Sequence, residues 1–343
     1  MAKIGVLGAG GWGIALSVLL NQNGHEVTLW SKLESEVDEI TATRENKKSL
    51  PGIKVDKNIE VTTDLDKAVL GKEVIVMAVA SVFVRSTSAL LKGKITKEQV
   101  IVNVAKGIEE GTLFTISQII EQELSEANVV VLSGPSHAEE VGKGIPTTVV
   151  VGAKNQQTAK NIQNIFSSPV FRVYTSPDIL GIELGGALKN VIALAAGISD
   201  GLGYGDNTKA ALITRGIHEM SRLGVAMGGK LPTFFGLSGI GDLIVTCSST
   251  HSRNWRAGNL IGQGKSLAQA KEEIHMVVEG ANSAQAALAL AKKYHVVMPI
   301  VEQVNAVLFE NAKASDAVGQ LMGRDKTVEN IELLKDVSWD DYQ

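Results

Sequence analysis

Short unbroken runs of Val, Ile and Leu recur through the first half of the chain, at 3–7, 26–30, 74–79, 100–103, 129–132 and 148–151. A strand covered on both faces has no polar side to show and reads as a continuous apolar run, whereas a half-solvated strand alternates. Runs of this kind separated by helical stretches predict a parallel sheet with helices on both sides. The first run leads through a glycine-rich turn into a helix over 11–23. Glu45-Asn46-Lys47-Lys48 and the turn Leu50-Pro51-Gly52 read as a solvated excursion.

Beyond Tyr174 the pattern changes. Ser176-Pro177-Asp178 reads as a helix start, with a cap candidate, a proline in first position and an acid in the first turn. The stretch that follows, to about Ser199, is apolar nearly all round and contains Gly181, Gly185 and Gly186, which predicts a buried helix packed closely against its neighbours. Helical patterns continue over 208–223, 266–274, 282–294, 299–311 and 314–322, and Ser266 with Gln269 fits a capping box. The expected architecture is an α/β fold: a doubly wound, mostly parallel sheet in residues 1–180, an all-helical C-terminal domain in 181–330, and a frayed tail, 331–343, around Trp339-Asp340-Asp341.

Composition narrows the function. The 343 residues correspond to two domains at roughly 150 residues each. A net charge of −4 provides no general basic field for nucleic acid or an anionic membrane, so any phosphate site must be local. The single cysteine, Cys247, excludes an intramolecular disulfide framework and a cysteine-based zinc site, and in its apolar setting it reads as inert packing. The histidines are scattered without ligand spacing, so no metal is expected. The apolar stretch up to Leu20 is interrupted by glycines and Trp12, unlike a signal peptide, and no membrane span is expected; the expected address is the cytoplasm.

Gly8-Ala9-Gly10-Gly11-Trp12-Gly13 matches G-x-G-x-x-G, a weak signal alone. Here it follows a strand and opens a helix within a βαβ unit, the context of the Rossmann type of dinucleotide site. Gly8 serves the tight turn, Gly10 the approach to the diphosphate and Gly13 the packing of helix on strand, with the helix N-terminus facing the phosphates. The plainer alternative is a structural glycine turn. An NAD-selective chain usually carries Asp or Glu after the second strand to bond the ribose hydroxyl. This chain has Trp30-Ser31-Lys32, with Glu34 expected on the next helix, so NADPH is expected to bind at least as well as NADH.

Three segments then place polar residues where catalysis would need them: Asn103-Val104-Ala105-Lys106-Gly107 and Ser133-Gly134-Pro135-Ser136-His137-Ala138, both just past strand ends, and Gly185-Gly186-Ala187-Leu188-Lys189-Asn190 inside the apolar helix. Lys189 is the most informative, because lysine is almost never buried without a partner and a desolvated ammonium becomes a usable acid or base. The plainer alternative is a lysine snorkelling at a helix edge. A further cluster, Ser238-Gly239-Ile240-Gly241-Asp242 with Ser252-Arg253-Asn254, offers an acid in glycine turns and a guanidinium fork suited to phosphate. For Arg253 a surface ion pair is the plainer alternative.

Together these motifs resemble the glycerol-3-phosphate dehydrogenase family in its bacterial NAD(P)-dependent form. The resemblance runs from Gly8 to Arg324 and is most specific at Gly185–Val191, Asn207–Gly216, Gly239–Leu243 and Ser252–Asn254. It implies that Lys189 is the proton acceptor, that Lys106 touches cofactor and substrate, and that Asp242 tunes Lys189. It implies substrate contacts at Gly134, Ser136, Asp242, Ser252, Arg253 and Asn254, with Asn190 in the same motif as Lys189. It implies cofactor contacts at Gly11, Trp12, Lys32, Ala138, Arg253, Val277 and Glu279. The implied reaction is reversible reduction of dihydroxyacetone phosphate by NADH or NADPH, supplying glycerol 3-phosphate for phospholipid synthesis, with a homodimer as the candidate assembly. Leu33 stands where relatives often carry a second basic residue. Two other readings keep the same dinucleotide turn: a β-hydroxyacid dehydrogenase, which needs a carboxylate site rather than a phosphate site, and a non-catalytic NADP(H) sensor, which needs no lysine–aspartate set.

Overall fold

A computed structural model describes residues 1–326, 328 and 329; the tail expected at 331–343 lies outside them. Eight strands, β1 (Lys3–Leu7), β2 (Glu26–Trp30), β3 (Glu60–Thr62), β4 (Val74–Met77), β5 (Val100–Asn103), β6 (Asn128–Ser133), β7 (Thr147–Gly152) and β8 (Phe171–Ser176), form one sheet in the order β3-β2-β1-β4-β5-β6-β7-β8. Every neighbouring pair is parallel except β6 with β7. The chain leaves β1 toward one edge through β2 and β3, then returns to build the other edge from β4. Between β1 and β4 the order reverses, the place at which open α/β sheets bind ligands beyond the carboxyl ends of their strands.

The expected fold class stands. β4 is buried at every position and β1 and β2 at all but the first, which is why they read as unbroken apolar runs. The two strands missing from the sequence pattern lie at the edges. β3 spans only three residues. β8 alternates, with Phe171 and Val173 buried and Arg172 and Tyr174 exposed, because an edge strand here is covered on one face only.

The turn after β1 has the conformation its glycines suggest. Gly8 has φ +117°, which a side chain would strain. A Cβ on Gly13 would lie 1.9 Å from the Gly8 carbonyl oxygen, so the helix Gly11–Gln22 can seat on this turn only without one. The segment after Arg44 is not the solvated excursion the charges suggest. Asn46 is 1% exposed, donates to the Ala9 carbonyl at 3.1 Å and accepts from the Ser49 amide at 2.9 Å. A buried carbonyl in an irregular turn needs a donor, and Asn46 supplies it while Lys47 and Lys48 stay in water.

The helical half is built around the helix Ile179–Gly201, buried from Gly181 to Ser199. Asp178 is its cap rather than a first-turn acid: its carboxylate accepts from the Gly181 amide at 3.0 Å, the Lys230 amide at 2.8 Å and the Thr233 hydroxyl at 2.6 Å. Ser176 belongs to β8 instead. By length and composition this helix passes for a membrane span, yet it is sheathed by this chain's own helices Asp206–Ala226, Asp242–Ser248, Arg253–Gly262 and Glu279–Lys293. The capping box at Ser266 and Gln269 is formed.

Gly13→Ala is expected to lower the unfolding free energy measured in urea by about 1–3 kcal/mol, the usual cost of overpacking, and so to lower the midpoint. Gly10→Ala, at a position with φ −69° and no atom within 4 Å of the added Cβ, leaves the midpoint close to wild type.

Candidate active site

Lys189 lies in the middle of the core helix and is 6% exposed. One turn earlier, Gly185 lets another segment touch the helix: a Cβ there would stand 2.5 Å from the Ser238 carbonyl oxygen. That segment, the π-helical turn Leu237–Gly241, delivers Asp242 at the start of the helix Asp242–Ser248. Asp242 Oδ1 accepts from Lys189 Nζ at 2.8 Å, and Oδ2 accepts from Lys106 Nζ at 2.6 Å. Lys106 comes from the turn after β5, and its ammonium also donates to the Gly134 carbonyl, past the end of β6, at 3.1 Å. The Ser136 hydroxyl donates to that same oxygen at 2.9 Å. Lys106, Gly134, Ser136, Lys189 and Asp242 thus converge at the carboxyl ends of the strands.

One carboxylate shared by two ammonium groups leaves an excess of one positive charge in a nearly dry site. Burial strips hydration from the Lys189 ammonium and Lys106 repels it; together they outweigh the pull of Asp242 and bring its pKa down to about 8. Burial by itself pushes Asp242 up, but the two lysines outweigh that and hold it below the ordinary aspartate value. The arrangement offers a proton donor near neutral pH and a second fixed cation, both suited to an oxygen that acquires negative charge.

Beside this cluster, Ser252 caps the helix Arg253–Gly262 by accepting from the Trp255 amide at 3.2 Å. Its hydroxyl is therefore engaged in the cap. Asn254 donates to Asn190 Oδ1 at 2.9 Å and accepts from the Gly280 amide at 2.8 Å. Arg253 is half-buried, and its guanidinium has no hydrogen bond or ion pair to another side chain or carbonyl among the described residues. Glu279 opens the helix Glu279–Lys293 and reaches across to the loop after β4, accepting from the Ser81 amide at 3.0 Å and from the Ser81 hydroxyl. Burial raises the Glu279 carboxyl, with Ser81 and Arg253 opposing. Val277 is half-buried just before this helix.

The glycine turn fits a dinucleotide diphosphate. The helix Gly11–Gln22 starts from Gly10 with no side-chain cap, so its first amides are free of side-chain acceptors, and a Cβ on Gly10 would meet no protein atom within 4 Å. Ala138 is drawn to the turn, its Cβ 3.6 Å from where a Gly11 Cβ would lie, and Trp12 packs half-buried on the sheet core. Lys32 is exposed just past β2. The expectation that no carboxylate stands there needs correction. Glu34 does open the next helix, Glu34–Thr43, but Glu36, within its first turn, folds back and accepts from the Ser31 hydroxyl at 2.5 Å.

Thr246 has no part in the sequence reading. It accepts from Lys189 Nζ at 2.6 Å and donates to the Asp242 carbonyl at 2.6 Å. Its spacing of four from Asp242 on a helix was the available signal. Ser81 and Glu36 carried none. Cys247 is buried as expected, and burial pushes its thiol up to about 12, which leaves it without nucleophilic character near neutral pH.

With this geometry in hand, comparison with known proteins is decisive. Two family models match, described as the N-terminus (residues 3–159) and the C-terminus (residues 178–319) of NAD-dependent glycerol-3-phosphate dehydrogenase. The chain belongs to the NAD-dependent glycerol-3-phosphate dehydrogenase family. A curated relative from Fusobacterium nucleatum, glycerol-3-phosphate dehydrogenase [NAD(P)+], is 62% identical over 331 residues, covering 96% of this chain and 99% of its own. One of the same name from Agathobacter rectalis is 57% identical, covering 97% and 99%. The crystal structure of glycerol-3-phosphate dehydrogenase from Coxiella burnetii superposes with a TM-score of 0.91 at 37% identity, covering 94% of this chain and 99% of that one.

In this dehydrogenase, Asp242→Asn leaves the buried Lys189 ammonium and the half-buried Lys106 ammonium without their anion. Losing one partner of a buried charge pair costs about 3–5 kcal/mol, so the unfolding free energy at pH 7, read from urea curves, is expected to fall by that order. The sign of the pH effect follows from Lys189, whose folded pKa drops further below its unfolded value without Asp242. The variant's deficit therefore shrinks as pH is raised toward about 8, which unfolding curves at several pH values will show.

Proposed function

We propose that the chain interconverts dihydroxyacetone phosphate and sn-glycerol 3-phosphate with NADH or NADPH. The dinucleotide half, about 1–180, would hold the cofactor and the helical half, about 181–330, would supply most of the reacting groups. The observation that carries this reading is the Lys106–Asp242–Lys189 cluster past the carboxyl ends of β5 and β6, with the Arg253 guanidinium on a neighbouring helix free of hydrogen bonds and ion pairs among the described residues. The nicotinamide, when bound, supplies or takes the hydride. As the ketone is reduced, negative charge grows on its oxygen. Lys189 stabilises that oxygen and protonates it, and Lys106 adds a second positive charge. Asp242 orients both lysines, and Thr246 fixes the direction of the Lys189 ammonium. Arg253, with Asn254 holding its helix against Asn190, binds the phosphate ester, so that binding energy from the remote end of the substrate fixes the carbonyl in place.

In the oxidative direction neutral Lys189 takes the alcohol proton. The kcat for glycerol 3-phosphate oxidation is expected to rise with pH and level off above about 8, whereas reduction, which needs the ammonium, declines through the same range. Lys189→Ala should lower kcat by about 10²–10⁴-fold with NADPH binding preserved. Arg253→Ala should raise KM for dihydroxyacetone phosphate by about tenfold or more, the scale of a charged hydrogen bond. The test follows NADPH oxidation at 340 nm with dihydroxyacetone phosphate beside unphosphorylated dihydroxyacetone. Equal turnover of the two, or near-normal turnover in Lys189→Ala, overturns the reading.

Cofactor choice rests on two opposed charges at the end of β2. Lys32 attracts a ribose 2′-phosphate and keeps NADPH at least level with NADH, while Glu36 repels it. Glu36→Gln is expected to raise the NADPH-to-NADH ratio of kcat/KM about two- to fivefold and Lys32→Ala to lower it similarly, the scale of an exposed charge pair.

A further inference from the structure

We propose that Glu183 is a positioning residue that fixes the Lys106 turn from the helix that carries Lys189, acting through Asn103. The proposal rests on the reading of Lys106, Asp242 and Lys189 as the reacting cluster. Glu183 is 6% exposed and makes no ion pair among the described residues. Its Oε1 accepts from the Ser117 amide at 2.8 Å and from Asn103 Nδ2 at 3.2 Å, and its Oε2 accepts from the Ser117 hydroxyl at 2.5 Å. Asn103 is the last residue of β5, fully buried. Its Oδ1 accepts from the Ala105 amide at 2.9 Å and its Nδ2 also reaches the Ala105 carbonyl at 3.3 Å. Both ends of one amide therefore grip the residue before Lys106. From Lys106 the chain of contacts passes to Asp242 and back to Lys189, six residues along the helix from Glu183. The circuit begins and ends on one rigid element, so the separation of the two ammonium groups is set at both ends.

The obvious competing role is capping of the helix Ile116–Glu123. Glu183 does contribute to that N-terminus through the Ser117 amide, beside Gln118, which accepts from the Thr115 amide; the bond from Asn103 to Glu183 is the contact that capping does not call for. A buried carboxylate without a cation also gains little stability, because burial disfavours its charged form and raises its pKa. A hydrophobic residue could fill the space but would leave both Ser117 and Asn103 without their acceptor; Asn103→Ala separates the two losses, because it leaves the Ser117 bonds in place.

The test compares Glu183→Ala with Glu183→Gln. The glutamine oxygen can accept from the Ser117 amide and from Asn103, and its NH₂ can donate to a Ser117 hydroxyl whose hydrogen turns away, so the circuit survives. Glu183→Ala is expected to lower kcat for dihydroxyacetone phosphate reduction about ten- to hundredfold, as small misplacements of reacting groups do, with NADPH affinity by fluorescence unchanged. The groups that face Lys189 are Asp242 and Cys247 from one helix, Lys106 from the β5 turn and His137. With Lys106 loosened, Asp242 acts on Lys189 alone, so the pH midpoint of glycerol 3-phosphate oxidation should move up. The Ala105 amide should exchange faster with deuterated water. Glu183→Gln should restore all three readouts. Asn103→Ala, which leaves Glu183 in place, should reproduce the alanine phenotype, and the double variant should be no worse than either single one; it carries the test alone if Glu183→Ala does not fold. A variant with a lowered melting temperature but wild-type kcat and pH midpoint overturns the proposal. If Lys106→Ala itself keeps wild-type kcat, the reading of the site fails instead; if Lys106→Ala collapses kcat and Glu183→Ala does not, only the brace fails.

Discussion

Two lysine ammonium groups share one buried carboxylate, one of them buried with it and the other half-buried, and much of this fold is the means of keeping them there. Asp242 is 1% exposed and contacts Lys189 and Lys106 through different oxygens. Such a triad is not a stability device, since desolvating three charges offsets most of what their attraction returns. What it provides is a lysine whose pKa is brought down to about 8, beside a second ammonium held by the same carboxylate. Both properties need the low dielectric of a packed interior and a fixed geometry, and the surrounding structure provides them.

The three charges arrive from separate parts of the chain. Lys189 sits on a helix that is apolar on all sides, Asp242 follows a turn that reaches this helix only because Gly185 has no side chain, and Lys106 extends from the end of a strand in the other half. The stem of Lys106 lies against Gly186, where a Cβ would stand 3.4 Å from its Cγ. Sheet and helices are thus joined at the chemistry itself. A second seam runs through Asn190, Asn254, the Gly280 amide, Glu279 and Ser81. It ties the helix that presents Arg253 to the loop after β4, so Arg253 and the carboxyl end of β4 are held at a fixed separation. The Asn46 amide does the equivalent work behind the glycine turn.

Much of this was legible in the residues alone, for physical reasons. Strands buried on both faces must be continuously apolar, so the central strands declared themselves. A glycine turn between strand and helix has one sequence form, and a lysine within an apolar helix is too costly to leave unexplained. Capping at Ser266 depends only on neighbours in the chain, and there the expectation matched. Edge strands were missed because β3 is too short to show a period and β8 is half solvated. Asn46, read as part of a wet charged loop, is buried because a carbonyl thirty-seven residues earlier in the chain lacks a donor.

The sequence by itself determined the layered sheet, the helical second half and the glycine turn, and it singled out Lys189, because each follows from local pattern or from the cost of burying a charge. Only the tertiary structure decided which residues Lys189 and Lys106 meet. That Asp242 serves both lysines through separate oxygens, that Thr246 meets Lys189, and that Glu183 stands behind the Lys106 turn are contacts between segments whose spacing in the chain carries no period. Hydrogen bonds are short-ranged and directional, so their partners are settled by where packing brings the backbone, and that is a property of the folded whole.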